Sequence, residues 1–203
     1  MMVDRLKEAA LELFAWRGYE GTSLTDVAGA VGIKKPSIYA HYGSKMDLFL
    51  SVAGWVSREY RQFWDRSLKE AEGMRGDEVP LFLFQRVVGF FAQDPARLAF
   101  FLRLWVFPPD DDPELESALD ILRENNRRIV ETVTGIVRRG VESRLFREVD
   151  PEAATHLIFC LLDGYLLRTL RPLEYDYTAE LPRLLDLLME GLRVPGERGG
   201  EAR

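Results

Sequence analysis

Between residues 34 and 45 the chain places Lys34, Lys35, Tyr39, His41, Tyr42 and Lys45 within twelve positions. Three amines, two phenols and an imidazole in so short a span suit an anionic partner. Amines meet phosphate oxygens and the O6 and N7 edge of guanine; phenols and imidazoles add hydrogen bonds to the same groups. The chain as a whole is acidic, with a net charge of −6 over 203 residues. Residues 1–50 hold six basic and six acidic side chains, so the excess negative charge lies entirely beyond them. An acidic balance argues against a nonspecific coat on nucleic acid. It leaves room for a small reading surface, because phosphate contacts depend on local charge. Taken singly, Lys34 and Lys35 also read as a solvated turn, and His41 as an ordinary surface residue.

The elements that must position these groups read as helices almost throughout. Hydrophobic residues make up 47% of the chain, too many for disorder. A chain of this length buries about 70% of its unfolded surface. Proline and glycine fall at segment edges, and no β-branched alternation appears. The first helix is expected over about Val3 to Arg17, with Gly18 ending it in the left-handed conformation. Ser23 reads as the N-cap of a second helix, with Asp26 completing an acidic capping box, and Leu24, Val27, Ala28 and Val31 as its apolar face. Gly32 follows as a turn residue. A third helix is expected to open with Pro36 and to end near Gly43, and Ser44 to cap a long fourth helix from Lys45 to about Glu72. A tight turn of about three residues, Gly32 to Lys34, between two one-faced helices is a helix-turn-helix pattern.

Further along, Asp94-Pro95, Asp112-Pro113 and Asp150-Pro151 each set an N-cap aspartate before a first-turn proline. They predict helices over roughly 78–93, 95–106, 113–143, 151–170 and 178–193. The fold class is therefore all-α, with about nine helices. The expected division is a DNA-binding segment at 1–46, a larger helical segment at 47–194 and a disordered tail at 195–203.

The stretch TSLTDVAGAVGIKKPSIYAHYGSKMDLF resembles the DNA-binding segment of the tetracycline-repressor (TetR) family of bacterial regulators. The matching features are Val27-Ala28, Gly32-Ile33, Lys34-Lys35-Pro36-Ser37, Ile38-Tyr39, His41-Tyr42 and Ser44-Lys45. The resemblance implies that the third helix lies in a major groove with its first residues near base edges. Lys35, Pro36 and Ser37 then become the base readers, directly or through water, with Lys34 beside them. Tyr39 and His41 would contact phosphate or base. Ser23, Thr25 and Lys45 would hold the backbone. A lysine in the first turn of a helix opposes the helix dipole, and a phosphate partner would give Lys45 its reason. Tyr42 stands where the family usually has phenylalanine; it reads as a packing residue with its hydroxyl near solvent or DNA.

A regulator needs an input. The larger segment is rich in aromatics, among them Trp55, Trp64, Phe82, Phe84, Phe90, Phe91, Phe100, Phe101, Trp105 and Phe107. Aromatics between helices can line a pocket for a small, largely apolar ligand, or simply fill the core. Trp64, Phe91, Phe101 and Trp105 are the candidate lining. Asn126 interrupts the apolar series Leu119, Leu122, Ile129, Val133, Ile136; a buried amide there needs a partner, either a core residue or a ligand. Arg103, between Leu102 and Leu104, is a candidate for an anionic group on the ligand.

The segment near 151–170 is apolar on nearly every side, and that near 178–193 carries Leu181, Leu184, Leu185, Leu188 and Leu192. The two suggest a two-fold four-helix interface between copies, with Ala154 and Gly164 permitting close approach. His156 and Asp163 fall on one face of that segment and read as a hydrogen-bonding pair across the interface. Cys160 reads as a small buried residue. As the single cysteine it excludes an intramolecular disulfide and fits a reducing, cytoplasmic compartment. The apolar run at 157–167 is too short for a bilayer and contains Asp163.

No metal or cofactor is expected. Neither histidine stands three residues after a glutamate, no cysteine and histidine cluster has zinc spacing, and no phosphate-binding loop or nucleophile elbow is present. An enzyme is therefore not expected. The leading reading is a dimeric, ligand-responsive regulator that acts as a repressor on a palindromic operator. The alternative is a small-molecule-binding protein that has lost sequence-specific DNA binding.

Overall fold

A computed structural model describes residues 2–109, 113–170 and 177–194. Among these residues the chain forms nine helices: α1 (Met2–Arg17), α2 (Leu24–Val31), α3 (Lys35–Ile38), α4 (Lys45–Glu70), α5 (Val79–Ala92), α6 (Pro95–Val106), α7 (Pro113–Glu142), α8 (Pro151–Thr169) and α9 (Tyr177–Leu192). The sole extended pairing among them is an isolated bridge between Phe146 and Arg193. The expected disordered tail and the expected cap at Asp112 lie outside the described residues.

The helix starts follow the chemistry that the sequence announces. Asp94 accepts from the N–H of Arg97 at 3.0 Å, and Asp150 from those of Glu152 and Ala153 at 2.9 and 3.1 Å. Each aspartate thus satisfies donors that the first helical turn leaves without a partner. The Ser44 hydroxyl accepts from the N–H of Asp47 at 2.9 Å, and the Asp47 carboxylate accepts from Gly43 at 2.9 Å. α3 is shorter than expected. Lys34 is its N-cap, Pro36 is its second residue and Ile38 its last. Beyond Ile38 the N–H groups of His41 and Tyr42 both turn back to the Ile38 carbonyl, at 2.8 and 2.9 Å. A tight turn therefore replaces the rest of the expected helix.

The residues fall into two compact units. The first takes in residues 1–63 and 91–125, the second 64–90 and 126–203. In the first unit α1 packs on α2 and α6, and α2 on α3. Phe14, Tyr19, Phe49 and Phe100 form one aromatic core there, with ring centroids 5.1–6.0 Å apart. Leu6, Val27, Ile38 and Leu48 are fully buried around it.

In the second unit α8 packs on α9, and Phe84 meets Tyr165 edge-on at 6.4 Å. Gly140 lets Phe146 close against α7, since a Cβ there would fall 2.3 Å from the ring. Asp77, with a side chain 4% exposed, accepts from Arg75 at 2.8 Å and faces the Arg193 guanidinium at 3.1 Å. The Arg75 hydrogen bond and the two guanidinium charges hold its carboxyl below the ordinary carboxylate range.

Candidate functional site

The basic cluster sits on the turn between two short helices, and local chemistry fixes that turn. Ser23 and Asp26 close a capping box at the start of α2, each bonding the other's backbone N–H. The Ser23 hydroxyl also donates to the Asp26 carboxylate and holds that carboxyl below its usual range. At the other end Gly32 adopts φ +75°, which ends α2 in the left-handed conformation glycine tolerates. Arg5 of α1 donates to the Val31 carbonyl at 3.2 Å, satisfying a C-terminal acceptor of α2 from outside.

α3 buries one side chain, Ile38, and leaves Lys35, Pro36 and Ser37 exposed. Lys34 before it, and Tyr39 and His41 after it, are exposed as well, as is Thr25 on α2. Ser23 is exposed too, so eight of the nine residues expected to meet DNA are open and Lys45 is half-buried.

Two of them also have internal partners. The Ser23 hydroxyl donates to the Asp26 carboxylate within the capping box. Lys45, expected to hold the DNA backbone, faces inward. Its ammonium donates to the Tyr19 carbonyl at 2.9 Å, stands 3.9 Å from the centre of the Tyr19 ring and lies 3.9 Å from Glu20. A cation placed against its own helix dipole is compensated there by a carbonyl, a ring face and a carboxylate. Tyr42 packs as expected, but its hydroxyl is buried and not in solvent; among the described residues it has no hydrogen-bond partner.

The expected effector residues divide between the units. Phe91, Phe101 and Trp105 come together in the first, around Tyr60, which no motif singles out. Tyr60 lies 5.5 Å from Phe91 and 5.0 Å from Phe101, and Phe101 lies 6.2 Å from Trp105. Phe91 is fully buried, Phe101 half-buried and Trp105 37% exposed, so the cluster runs from core to surface. Beside it in α4, Glu59 accepts from the Trp55 indole at 2.9 Å and pairs with Arg97 at 3.0 Å.

Arg103 points elsewhere. Its guanidinium donates to the carbonyls of Ala15 and Trp16 at 2.7 and 3.4 Å. Trp64 is buried in the second unit, and Asn126 is exposed. The buried-amide premise for Asn126 is thus corrected: its position on α7 faces water, which satisfies an amide without a ligand.

The second unit holds a cavity of about 430 Å³ lined mainly by Leu68, Ala71, Val79, Ile136 and Leu145, with Glu72 and Arg139 among its polar groups. None of the expected effector residues lines it. A groove of about 440 Å³ lies along α8 and α9, lined by Ala153, Leu157, Leu187, Leu188 and Leu192. α8 buries Ala154, Ile158, Leu162, Tyr165 and Leu166. Its other side presents Ala153, Leu157, Cys160, Gly164 and Leu167, all exposed and spaced by alternate steps of four and three. Cys160 is therefore exposed in the single chain and not buried, because it falls on this outer stripe. His156 and Asp163 are exposed on the same helix. Although Asp163 is exposed, partial desolvation on the helix surface raises its carboxyl above the usual range.

An all-helical chain with a capped helix-turn-helix and an open lysine cluster is a DNA-binding protein in its architecture. Residues 6–52 match the family described as bacterial regulatory proteins, tetR family. The HTH-type transcriptional regulator CymR of Pseudomonas putida is 30% identical over 169 residues, spanning 82% of this chain and 78% of CymR. Two solved structures share the fold. A protein from Saccharomonospora viridis in complex with choline superposes with a TM-score of 0.76 at 20% identity, covering 95% of this chain and 98% of that one. PfmR from Thermus thermophilus gives 0.73 at 24% identity, covering 94% and 100%. The chain belongs to the TetR family of bacterial transcriptional regulators. No helix among the described residues is long and apolar enough to cross a membrane.

Proposed function

We propose that the chain acts in the cytoplasm as a homodimer that represses transcription from a palindromic operator and is released by a small, largely apolar effector. The observation that carries the DNA-reading part is the exposed series Lys34, Lys35, Pro36, Ser37 around a buried Ile38. A helix of one turn presents its first residues outward, as a major-groove reader must. Lys35 is the base reader, with Pro36 and Ser37 beside it; Lys34, Thr25, Tyr39 and His41 contact phosphate or base edges. The exposed leucines of α8 and α9 supply the two-fold face: Leu157, Leu167 and Leu187 are each more than half exposed in one chain. Stripes of this kind on a soluble protein mark an interface. The cluster of Tyr60, Phe91, Phe101 and Trp105 is the candidate contact for an apolar or aromatic effector.

Selection of bound duplexes from a random DNA library, at two salt concentrations, tests the reading. A salt-sensitive palindrome is the expected result. Enrichment of no sequence at low salt, from protein denatured and refolded to strip any carried ligand, would refute it.

A further inference from the structure

The last turn of a helix leaves carbonyl oxygens without intrahelical donors. In α1 the Phe14 carbonyl receives the Gly18 N–H at 3.0 Å, and of the three carbonyls beyond it those of Ala15 and Trp16 are met from outside the helix. Arg103 meets both. Its Nε donates to Ala15 at 2.7 Å and its Nη2 to Trp16 at 3.4 Å, from 88 and 87 positions away. The guanidinium also lies against Gly18, where a Cβ would come 3.4 Å from Nη1 and φ is +74°. A cation at that end of a helix complements the dipole as well as the orphan acceptors.

The chain uses the same device twice more. Arg5 meets the Val31 carbonyl at the end of α2, and Arg147 meets those of Glu190 and Arg193 at the end of α9. Neither of those helices has a basic residue in its own last turn.

The place of Arg103 in α6 adds a second point. Phe101 and Trp105, at i−2 and i+2, lie roughly 160–200° round the helix from Arg103. One side of α6 thus joins the aromatic cluster, and the other holds the end of α1. α6 is itself fixed to α4 by Arg97, which pairs with Glu59 at 3.0 Å. From the end of α1 the chain runs directly through Tyr19 and Thr22 into α2 and α3. Lys45 holds the Tyr19 carbonyl, and the Thr22 hydroxyl donates to the Gly18 carbonyl at 2.9 Å.

We infer that Arg103 is a positioning residue for DNA binding: from α6 it supplies the C-terminal cap of α1 and so sets the pose in which α2 and α3 meet a duplex. The inference rests on the DNA-reading function proposed above. It replaces the expectation that Arg103 holds an anionic group of the effector. Operator affinity then depends on a side chain that touches no DNA, remote in sequence from the recognition residues.

The test uses the full chain and the operator that the wild type selects from a random library. Arg103→Met keeps the stem and removes every donor. At a temperature where both proteins are folded, it should lower operator affinity by roughly tenfold or more, as loss of a charged hydrogen bond implies. Affinity for a nonspecific duplex and the dependence of binding on salt should stay unchanged, because no phosphate contact is lost. Arg103→Lys should recover part of the loss. Wild-type operator affinity in Arg103→Met would overturn the inference. So would an equal loss on nonspecific duplex with a shallower salt slope, which would make Arg103 a phosphate contact. Should Arg103→Met not fold, Arg103→Gln carries the same comparison, and operator affinity equal to wild type overturns the inference there too. Failure of the wild type to select any duplex appears before any variant is made and sinks the DNA-reading function itself.

Discussion

Replacing Leu157 by aspartate should separate the proposed dimer without unfolding the subunit. In one chain Leu157 is 57% exposed, Leu167 56% and Leu187 59%. Burying a whole leucine side chain is worth roughly 1.5–3 kcal/mol, so covering the exposed half contributes about 1–1.5 kcal/mol. Two-fold symmetry doubles each contribution, and the three leucines together supply about 6–9 kcal/mol, comparable with the roughly 8 kcal/mol of a micromolar complex. Leu157→Ala would then raise the dimer dissociation constant about 30- to 150-fold. Leu157→Asp adds two desolvated carboxylates and should leave monomer at micromolar protein. Sedimentation equilibrium measures the association, and far-ultraviolet circular dichroism checks that the helices persist. The substituted side chain starts more than half in water, so helix content should hold. A Leu157→Asp protein that sediments as a dimer with the wild-type constant would refute the assignment of this face. Loss of helix together with dimer would show instead that the subunit needs the contact in order to fold.

Lys35→Ala should relax base preference at one position in each half-site by about 1–3 kcal/mol, read by repeating the duplex selection. Lys45→Ala should leave that preference alone and lower stability by about 1–2 kcal/mol, seen in thermal melts, because its ammonium serves the Tyr19 carbonyl and ring. Asp77→Asn should cost about 2 kcal/mol at pH 7, less than a fully buried pair because the Arg75 side chain is 46% exposed. The folded Asp77 carboxyl is held below its unfolded value, so its stabilisation is complete above about pH 4 and is lost as pH falls through the folded value. Urea midpoints of wild type and variant should therefore draw together as pH falls below about 4, and a gap that does not narrow at all in acid would contradict the ion-pair assignment. In the proposed dimer Lys34 and Lys35 bring four ammonium groups to the duplex, so the logarithm of operator affinity should fall with that of salt at a slope of about −2 where only Lys34 neutralises phosphate and about −4 where Lys35 does as well. A slope near −8 in filter binding would mean that cations placed here in internal roles also reach the duplex.

What the sequence disclosed and what it hid divide by distance along the chain. Ser23 with Asp26, Ser44 with Asp47, Asp94 with Arg97 and Asp150 with Ala153 are partners three residues apart, and each forms the cap its spacing announces. Gly32 is left-handed where the turn requires it. The hidden features depend on partners remote in sequence. Lys45 finds Tyr19, 26 positions back, and Arg103 finds Ala15, 88 positions back. No periodicity or motif encodes either meeting. Cys160 departs from expectation because a stripe of apolar residues states that a helix face is covered, but not by what, and one chain alone leaves its stripe open. Asn126 is exposed although Leu119, Leu122, Val133 and Ile136 of its own stripe are buried, a local difference that spacing does not encode. α3 stops short of its expected end because Tyr39 and His41, though compatible with a helix, enter a turn: the Ile38 carbonyl takes the N–H groups of both His41 and Tyr42.

The acidic balance of the chain and its DNA-binding role are compatible because its cations have separate duties. Arg5, Arg103 and Arg147 lie on helix C-termini, Arg97 on Glu59, Arg193 on Asp77 and Lys45 on Tyr19. Each meets an acceptor of the protein itself, so none needs a phosphate to be stable. Lys34 and Lys35 stand apart from that group: both are exposed, and neither forms an ion pair among the described residues. Screening at physiological salt limits the reach of distant charge to about 8 Å. A duplex at α3 would therefore sense these two lysines and their immediate neighbours far more than any charge beyond that reach. On the proposed reading, net charge then limits binding to DNA in general, and the cluster at 34–41 decides where the protein binds.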